Sequence, residues 1–115
     1  MKKLFISQPM SNKTEEEILS EREEAIRAAK ELLGEDIEVI DSYAEIKLTP
    51  LGYLGYSIMR LAEADIAYFA KGWQDARGCK IEYECALKYG IKVITAEFDP
   101  NKTVVGRRLN AGFYD

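Results

Sequence analysis

Apolar residues fall along this chain in short clusters, separated by stretches in which they recur every three or four positions. Leu4-Phe5-Ile6 is the first cluster, Ile37–Ile40 (IEVI) the second, Asp65–Phe69 (DIAYF) the third and Ile91–Ile94 (IKVI) the fourth. Short, apolar runs rich in β-branched residues predict buried strands. Thr14-Glu15-Glu16-Glu17 has capping-box spacing with acids in the first turn. The helix it opens carries Ile18, Ala25, Ala29, Leu32 and Leu33 along one side and stops at Gly34. Thr49-Pro50 predicts an N-cap and first helical residue. That second helix runs to about Glu63 with Leu51, Leu54, Ile58 and Leu61 as its inner stripe, although Gly52 and Gly55 weaken it. A third helix opens at Gly78.

The order strand, helix, strand, helix, strand, helix, strand predicts an α/β protein, a three-layer α/β/α sandwich. Right-handed crossovers favour a flavodoxin-like parallel sheet of order 2-1-3-4. Asp99-Pro100-Asn101-Lys102 is a turn signal, and Thr103-Val104-Val105 adds a possible fifth edge strand. Arg107-Arg108 reads as surface charge, and Phe113-Tyr114 has no periodicity. Without a repeat or linker, residues 1–115 are expected to form a single domain. Ligands of such sheets sit beyond the carboxyl ends of the strands, at the switch in strand order. Here Ser7–Met10 and Ala70–Glu82 face each other across that switch.

One residue there breaks the polar and apolar pattern. At about 100° per residue, Glu82 points out of the middle of the apolar stripe of the third helix, between Cys79, Cys85, Ala86 and Tyr89. Glu84, two residues on, points to solvent. A buried carboxylate is expensive unless it is partnered, so Glu82 is either a working group or half of a structural ion pair, with Arg60 or Lys71 as the cation. Its place near a helix N-terminus favours the ionised form.

Composition narrows the chemistry. The 47% hydrophobic and 31% charged residues are ordinary for a folded domain. A net charge of -4 argues against a nucleic acid polymer or an anionic membrane as partner, while a small anionic ligand held by local positive groups stays open. No apolar run approaches the ~20 residues that span a bilayer, and MKKLFIS has too short an apolar run for a signal peptide, so a cytoplasmic protein is expected. With no histidine, catalytic triads and His-bearing metal sites are excluded, and any general acid or base must be Asp, Glu, Tyr, Lys or Cys. Cys79 and Cys85, six residues apart in one helix, cannot bridge and read as reduced core residues. The chain has no P-loop or dinucleotide fingerprint, and no acids end its first strand as a phosphoacceptor domain requires.

Four segments together carry a resemblance: FISQPM (Phe5–Met10), Ala64-Asp65 opening the third strand, Gly78, Glu82 and Ala86 as G-x-x-x-E-x-x-x-A, and Gly90-Ile91 before the fourth strand. In these the chain resembles the nucleoside 2-deoxyribosyltransferase superfamily, including the 2′-deoxynucleoside 5′-monophosphate N-glycosidases. The resemblance implies that Glu82 is a nucleophile that attacks the anomeric carbon, expels the base and holds the sugar as an ester until water or another base takes it. It implies substrate contacts from Ser7, Gln8, Pro9, Met10, Ser57, Trp73, Asp75 and Gly78, with Trp73 stacking on a base and Asp65 structural. It implies no metal or cofactor, a small nucleoside or nucleotide as partner, and a homo-oligomer in which the Phe113-Tyr114 tail suits a contact with a neighbour. The chain departs from the family at two positions. Ser57 stands where an aspartate usually protonates the leaving base, and Ala76 stands where a serine is frequent. Leaving-group protonation would then fall to Asp41, Asp75, Tyr53 or Tyr43. The alternative is a catalytically silent nucleoside- or nucleotide-binding module of the same fold.

Overall fold

Strand β1, Lys2–Ser7, is the axis of the molecule, pairing with a strand on each side in the computed structural model, which describes residues 1–96. After it come α1 (Glu15–Leu33), β2 (Ile37–Val39), α2 (Pro50–Leu61), β3 (Ile66–Phe69), one 3-10 turn (Trp73–Asp75), α3 (Arg77–Lys88) and β4 (Lys92–Thr95). The four strands form an all-parallel sheet of order β2-β1-β3-β4, with Leu4 opposite Ile66 and Ile66 opposite Lys92. This is the α/β sandwich of flavodoxin-like order that the alternation of elements predicts. The expected fifth strand at Thr103–Val105, Arg107-Arg108 and the Phe113-Tyr114 tail lie outside the described residues.

Strand residues alternate between the two faces of the sheet, and each face has its own core. Phe5, Ala67 and Phe69 pack with Leu61, Cys79, Tyr83 and Ala86 on the α2–α3 side. Leu4, Ile6, Ile66 and Tyr68 pack with Ala25 and Ala29 on the α1 side. Phe5, Phe69, Leu4, Leu61 and Ile66 are the largest fully buried side chains, each contributing about 1.5–3 kcal/mol by leaving water. The same parity decides what happens where β1 ends. Ser7 shares the face of Phe5 and turns toward α3, whereas Gln8 turns toward α1.

The helix ends follow the local signals. Thr14 and Glu17 make a reciprocal capping box, and Gly34 closes α1 at φ 69° with its N–H on the Lys30 carbonyl. Thr49 Oγ1 accepts the Gly52 N–H at 3.0 Å, with Pro50 opening α2. Several boundaries and faces differ from the sequence pattern. β2 stops at Val39, β3 begins at Ile66, β4 runs one residue further to Thr95, α2 ends at Leu61 and α3 begins at Arg77. Asp65 instead clamps the strand edge, its carboxylate accepting the Lys3 N–H at 2.8 Å while its own N–H donates to the Lys3 carbonyl. Leu32, Leu51 and Tyr89, read as inward-facing, are exposed: Leu32 and Leu51 stand in the last and first turns of α1 and α2, and Tyr89 lies past the end of α3, where helical spacing no longer sets its direction. No helix among the described residues is long and apolar enough to cross a membrane.

Candidate functional site

A cleft of about 850 Å³ opens at the carboxyl ends of β1 and β3. Its floor is Ser7 and Glu82; its walls are the loop after β1, the start of α2, the turn after β3 and the first turn of α3.

Glu82 is 7% exposed, and both carboxylate oxygens accept a hydroxyl. Ser7 Oγ donates to Oε1 at 2.6 Å, and Ser57 Oγ donates to Oε2 at 2.6 Å. The cation of a structural ion pair is missing from this arrangement among the described residues. Arg60 donates to the Asp41 carbonyl and pairs with Glu63, and Lys71 pairs with no carboxylate. Burial pushes the Glu82 carboxyl above its ordinary value, and the hydroxyls of Ser57 and Ser7 pull it partly back. The helix dipole has little part in this. Glu82 is the sixth residue of α3, and the macrodipole fades within the first turn. Hydroxyl donors, not the helix terminus, favour the anion here, which corrects the expectation from sequence. Beside it, burial raises the Cys79 thiol as well, opposed by a hydrogen bond with Ser7, and both cysteines are free.

The loop after β1 is held from its far side. Gln8 Nε2 donates to the Ile18 carbonyl and to Glu21 Oε1, both at 2.9 Å. Lys13 Nζ donates to the same Glu21 oxygen at 2.8 Å and to the Lys71 carbonyl at 2.7 Å. This pins the loop to α1 and to the turn after β3, so Ser7 is presented by anchored backbone on both sides. Because both Nε2 donors of Gln8 meet acceptors, the amide orientation is fixed, and Gln8 Oε1 is buried without a donor among the described residues.

Most residues singled out in the sequence reach the cleft. Ser7, Gln8, Pro9, Met10, Ser57, Asp75, Gly78 and Glu82 all line it. Trp73 does not. It is 2% exposed and stacks on Tyr83 at 4.2 Å and 29°, tilted against Phe69 at 5.8 Å. Gly72, at φ 90°, turns the chain so that the indole enters the core between β3 and α3. Trp73 is therefore a core residue rather than a platform for a base, and its N–H is buried without an acceptor among the described residues. Of the groups considered for protonating a leaving base, Asp75, Tyr53 and Tyr43 line the cleft, while Asp41 turns back to accept the Tyr43 N–H. Close packing does not require glycine at position 78, since a Cβ there would meet only Leu54 Cδ1, at 3.8 Å. Lys13, Glu21 and Arg22 are the residues that sequence reasoning missed. For Arg22 the signal was present, because it interrupts the apolar stripe of α1 as Glu82 interrupts that of α3.

Fold and site together define a parallel α/β sandwich that keeps a buried carboxyl group, held by two serine hydroxyls, at the bottom of a cleft beyond the carboxyl ends of its strands. Within that class, the chain belongs to the family described as a domain of unknown function, DUF4406, whose model matches residues 2–95. The match begins with β1 and ends with β4, so it covers the whole described sheet and every residue of the cleft. No curated protein matches the chain.

Proposed function

We propose that the protein breaks the N-glycosidic bond of a nucleoside or nucleotide, by transfer or hydrolysis, with Glu82 as the nucleophile. The observation that carries this reading is the state of Glu82: buried at the ligand end of the sheet, held by Ser7 and Ser57, with no cation among the described residues. A purely structural carboxylate at this depth gains by pairing with a cation, whereas a nucleophile must keep its charge available. The resemblance in FISQPM, Ala64-Asp65 and G-x-x-x-E supports the substrate class.

In the first step one carboxylate oxygen of Glu82 bonds to the anomeric carbon as the carbon–nitrogen bond breaks. The electron pair leaves with the base, which takes a proton from an acid in the cleft. Asp75 and Tyr53 both line it and supply that acid in place of the missing carboxyl at position 57. In the second step water or an acceptor base attacks the same carbon. The ester bond breaks, its electrons return to Glu82, and the proton of the incoming nucleophile returns to the acid. Ser7 and Ser57 orient the carboxylate and donate their hydrogen bonds to it when its charge returns.

A second reading, a silent binding module, is favoured by one observation. Ser57 spends its hydroxyl on Glu82 where the resembled enzymes keep an acid. Base release decides between them. The protein is incubated with nucleosides and 2′-deoxynucleoside 5′-monophosphates, with and without an acceptor base, and the products are separated by chromatography. Free base or exchanged nucleoside from wild type and not from Glu82→Ala supports the enzyme. A ligand-dependent rise in melting temperature without release supports the binder.

A further inference from the structure

The loop between β1 and α1 forms one wall of the cleft, and its own backbone does little to hold it. From Gln8 to Lys13 it closes one backbone hydrogen bond among the described residues, Lys13 N–H to the Met10 carbonyl at 3.4 Å. Asn12 sits at φ 63°, in the left-handed region that asparagine tolerates, and Met10, Ser11 and Asn12 are exposed. A segment with so few backbone bonds and so little burial opens locally at small cost.

Side chains hold it instead, and they converge on one atom. Gln8 at the start of the loop and Lys13 at its end both donate to Glu21 Oε1, at 2.9 and 2.8 Å. Lys13 also reaches the Lys71 carbonyl in the turn after β3, at 2.7 Å. That turn is a firm anchor, because Trp73 follows it into the core. The two segments also meet where a Cβ on Gly72 would stand 3.8 Å from Pro9 Cγ. The Lys13–Glu21 pair differs from the other ion pairs among the described residues. Arg27 with Glu24 and Glu31, and Arg60 with Glu63, each lie within one helix or just past its end. Lys13 and Glu21 join a loop to a helix, with side chains only 13% and 19% exposed, so solvent screens them little and each needs the other.

We propose that Lys13 is a positioning residue: with Glu21 it locks the loop after β1 against the turn after β3, and so keeps the cleft in the shape that presents a ligand to Glu82. Lys13 acts through the loop rather than on the reacting atoms. Gln8 belongs to the same lock, since its amide group donates to Ile18 and Glu21 and its carbonyl oxygen is buried. The ligand then meets Pro9, Met10 and Ser11 on this wall rather than the Gln8 amide. The effect on turnover rests on the N-glycosidic reading, whereas the lock itself does not.

Amide hydrogen exchange and site-resolved cysteine alkylation, both read by mass spectrometry, test the lock in wild type, Lys13→Met, Lys13→Arg and Glu21→Gln. Lys13→Met is expected to speed exchange over residues 8–13 at least about tenfold, while β1, β3 and α3 exchange as in wild type. Cys79, 7% exposed on the cleft floor, is expected to react faster with iodoacetamide, and Cys85 to react as before. Burial raises the Cys79 thiol and the Lys13 charge draws it back, so loss of that charge alone would slow the reaction and a faster one reports access. Lys13→Arg keeps the charge and several donors and is expected to restore the wild-type pattern. With nucleosides as substrates, Lys13→Met is expected to lose about ten- to a hundredfold in kcat/KM for base release.

Loop exchange at the wild-type rate in Lys13→Met overturns the lock. Faster exchange across the whole sheet marks the pair as merely structural and overturns the positioning role. A loosened loop with unchanged base release overturns that role as well. No base release from wild type overturns the N-glycosidic reading, and loop exchange and Cys79 alkylation, which need no substrate, then uphold or overturn the lock. Should Lys13→Met fail to fold, Glu21→Gln, which keeps an acceptor for Gln8 and removes the counter-charge, is held to the same outcomes.

Discussion

Ser7 and Glu82 are 75 positions apart in the chain and joined by a hydrogen bond of 2.6 Å. Ser7 is the last residue of the central strand, 2% exposed, and its hydroxyl has turned to the carboxylate because strand parity puts it on the α3 face. The bond links the end of β1 to the middle of α3 and sets which way the carboxylate faces.

Removing that hydroxyl leaves the carboxylate with one donor. Ser7→Ala is expected to destabilise the fold at neutral pH by about 1–3 kcal/mol, the cost of an under-solvated buried charge. It also raises the Glu82 carboxyl further, since the Ser7 bond holds it down. The acidic limb of the base-release profile should therefore move to higher pH. Denaturant unfolding and a pH–rate profile measure the two effects; a profile that stays in place while stability falls shows that Ser7 only packs.

Glu82 makes stability depend on pH with a defined sign. Its folded value lies above the ordinary 4.5, so the folded state holds the proton more tightly than the unfolded chain. This group's contribution is fully present below 4.5 and is lost as pH rises through the folded value. Glu82→Gln removes the dependence, and the difference in melting temperature between variant and wild type should grow in the variant's favour from acid pH to neutrality. Base release should vanish in the same variant. A difference that is flat with pH would mean that the carboxyl is not held above its ordinary range.

Trp73→Phe separates core from site. The change removes a buried N–H that has no acceptor among the described residues and leaves a small void, two opposing effects that together stay within about 1 kcal/mol. Base release and ligand affinity are expected to match wild type. A tenfold loss with intact stability would return Trp73 to the ligand.

Gly78→Ala places a methyl group in the cleft with no clash in the fold. Alanine favours the helix by up to about 1 kcal/mol, so the melting temperature should rise slightly. Ligand affinity should fall where a substrate passes close to the start of α3. Affinity that is unchanged would show that the bare backbone at position 78 is not used.

Much of this molecule was legible in one dimension. The apolar clusters, the Thr14–Glu17 box, Gly34 and Thr49-Pro50 are local signals whose physics involves neighbours within a turn; each cluster marks a real strand, to within a few residues at its ends, and each cap marks a real helix end. Alternation of strands and helices, with the right-handed crossover, then led to the sheet order. Glu82 was legible for the same reason, because a charge inside an apolar stripe shows on a helical wheel, and Arg22 carries the same mark.

Partnership was not legible. That Ser7 and Ser57, rather than Arg60 or Lys71, would meet Glu82 depends on how β1, α2 and α3 converge, which no local pattern encodes. The resemblance implied that Trp73 stacks on a base, yet the left-handed turn at Gly72 sends it into the core. The chain by itself determined the elements, their order and the two misplaced charges, since helix and strand periodicity act over a few residues. Only the tertiary structure decided which hydroxyls hold the carboxylate and which aromatic is buried, because those contacts arise between segments that meet only once the sheet has formed.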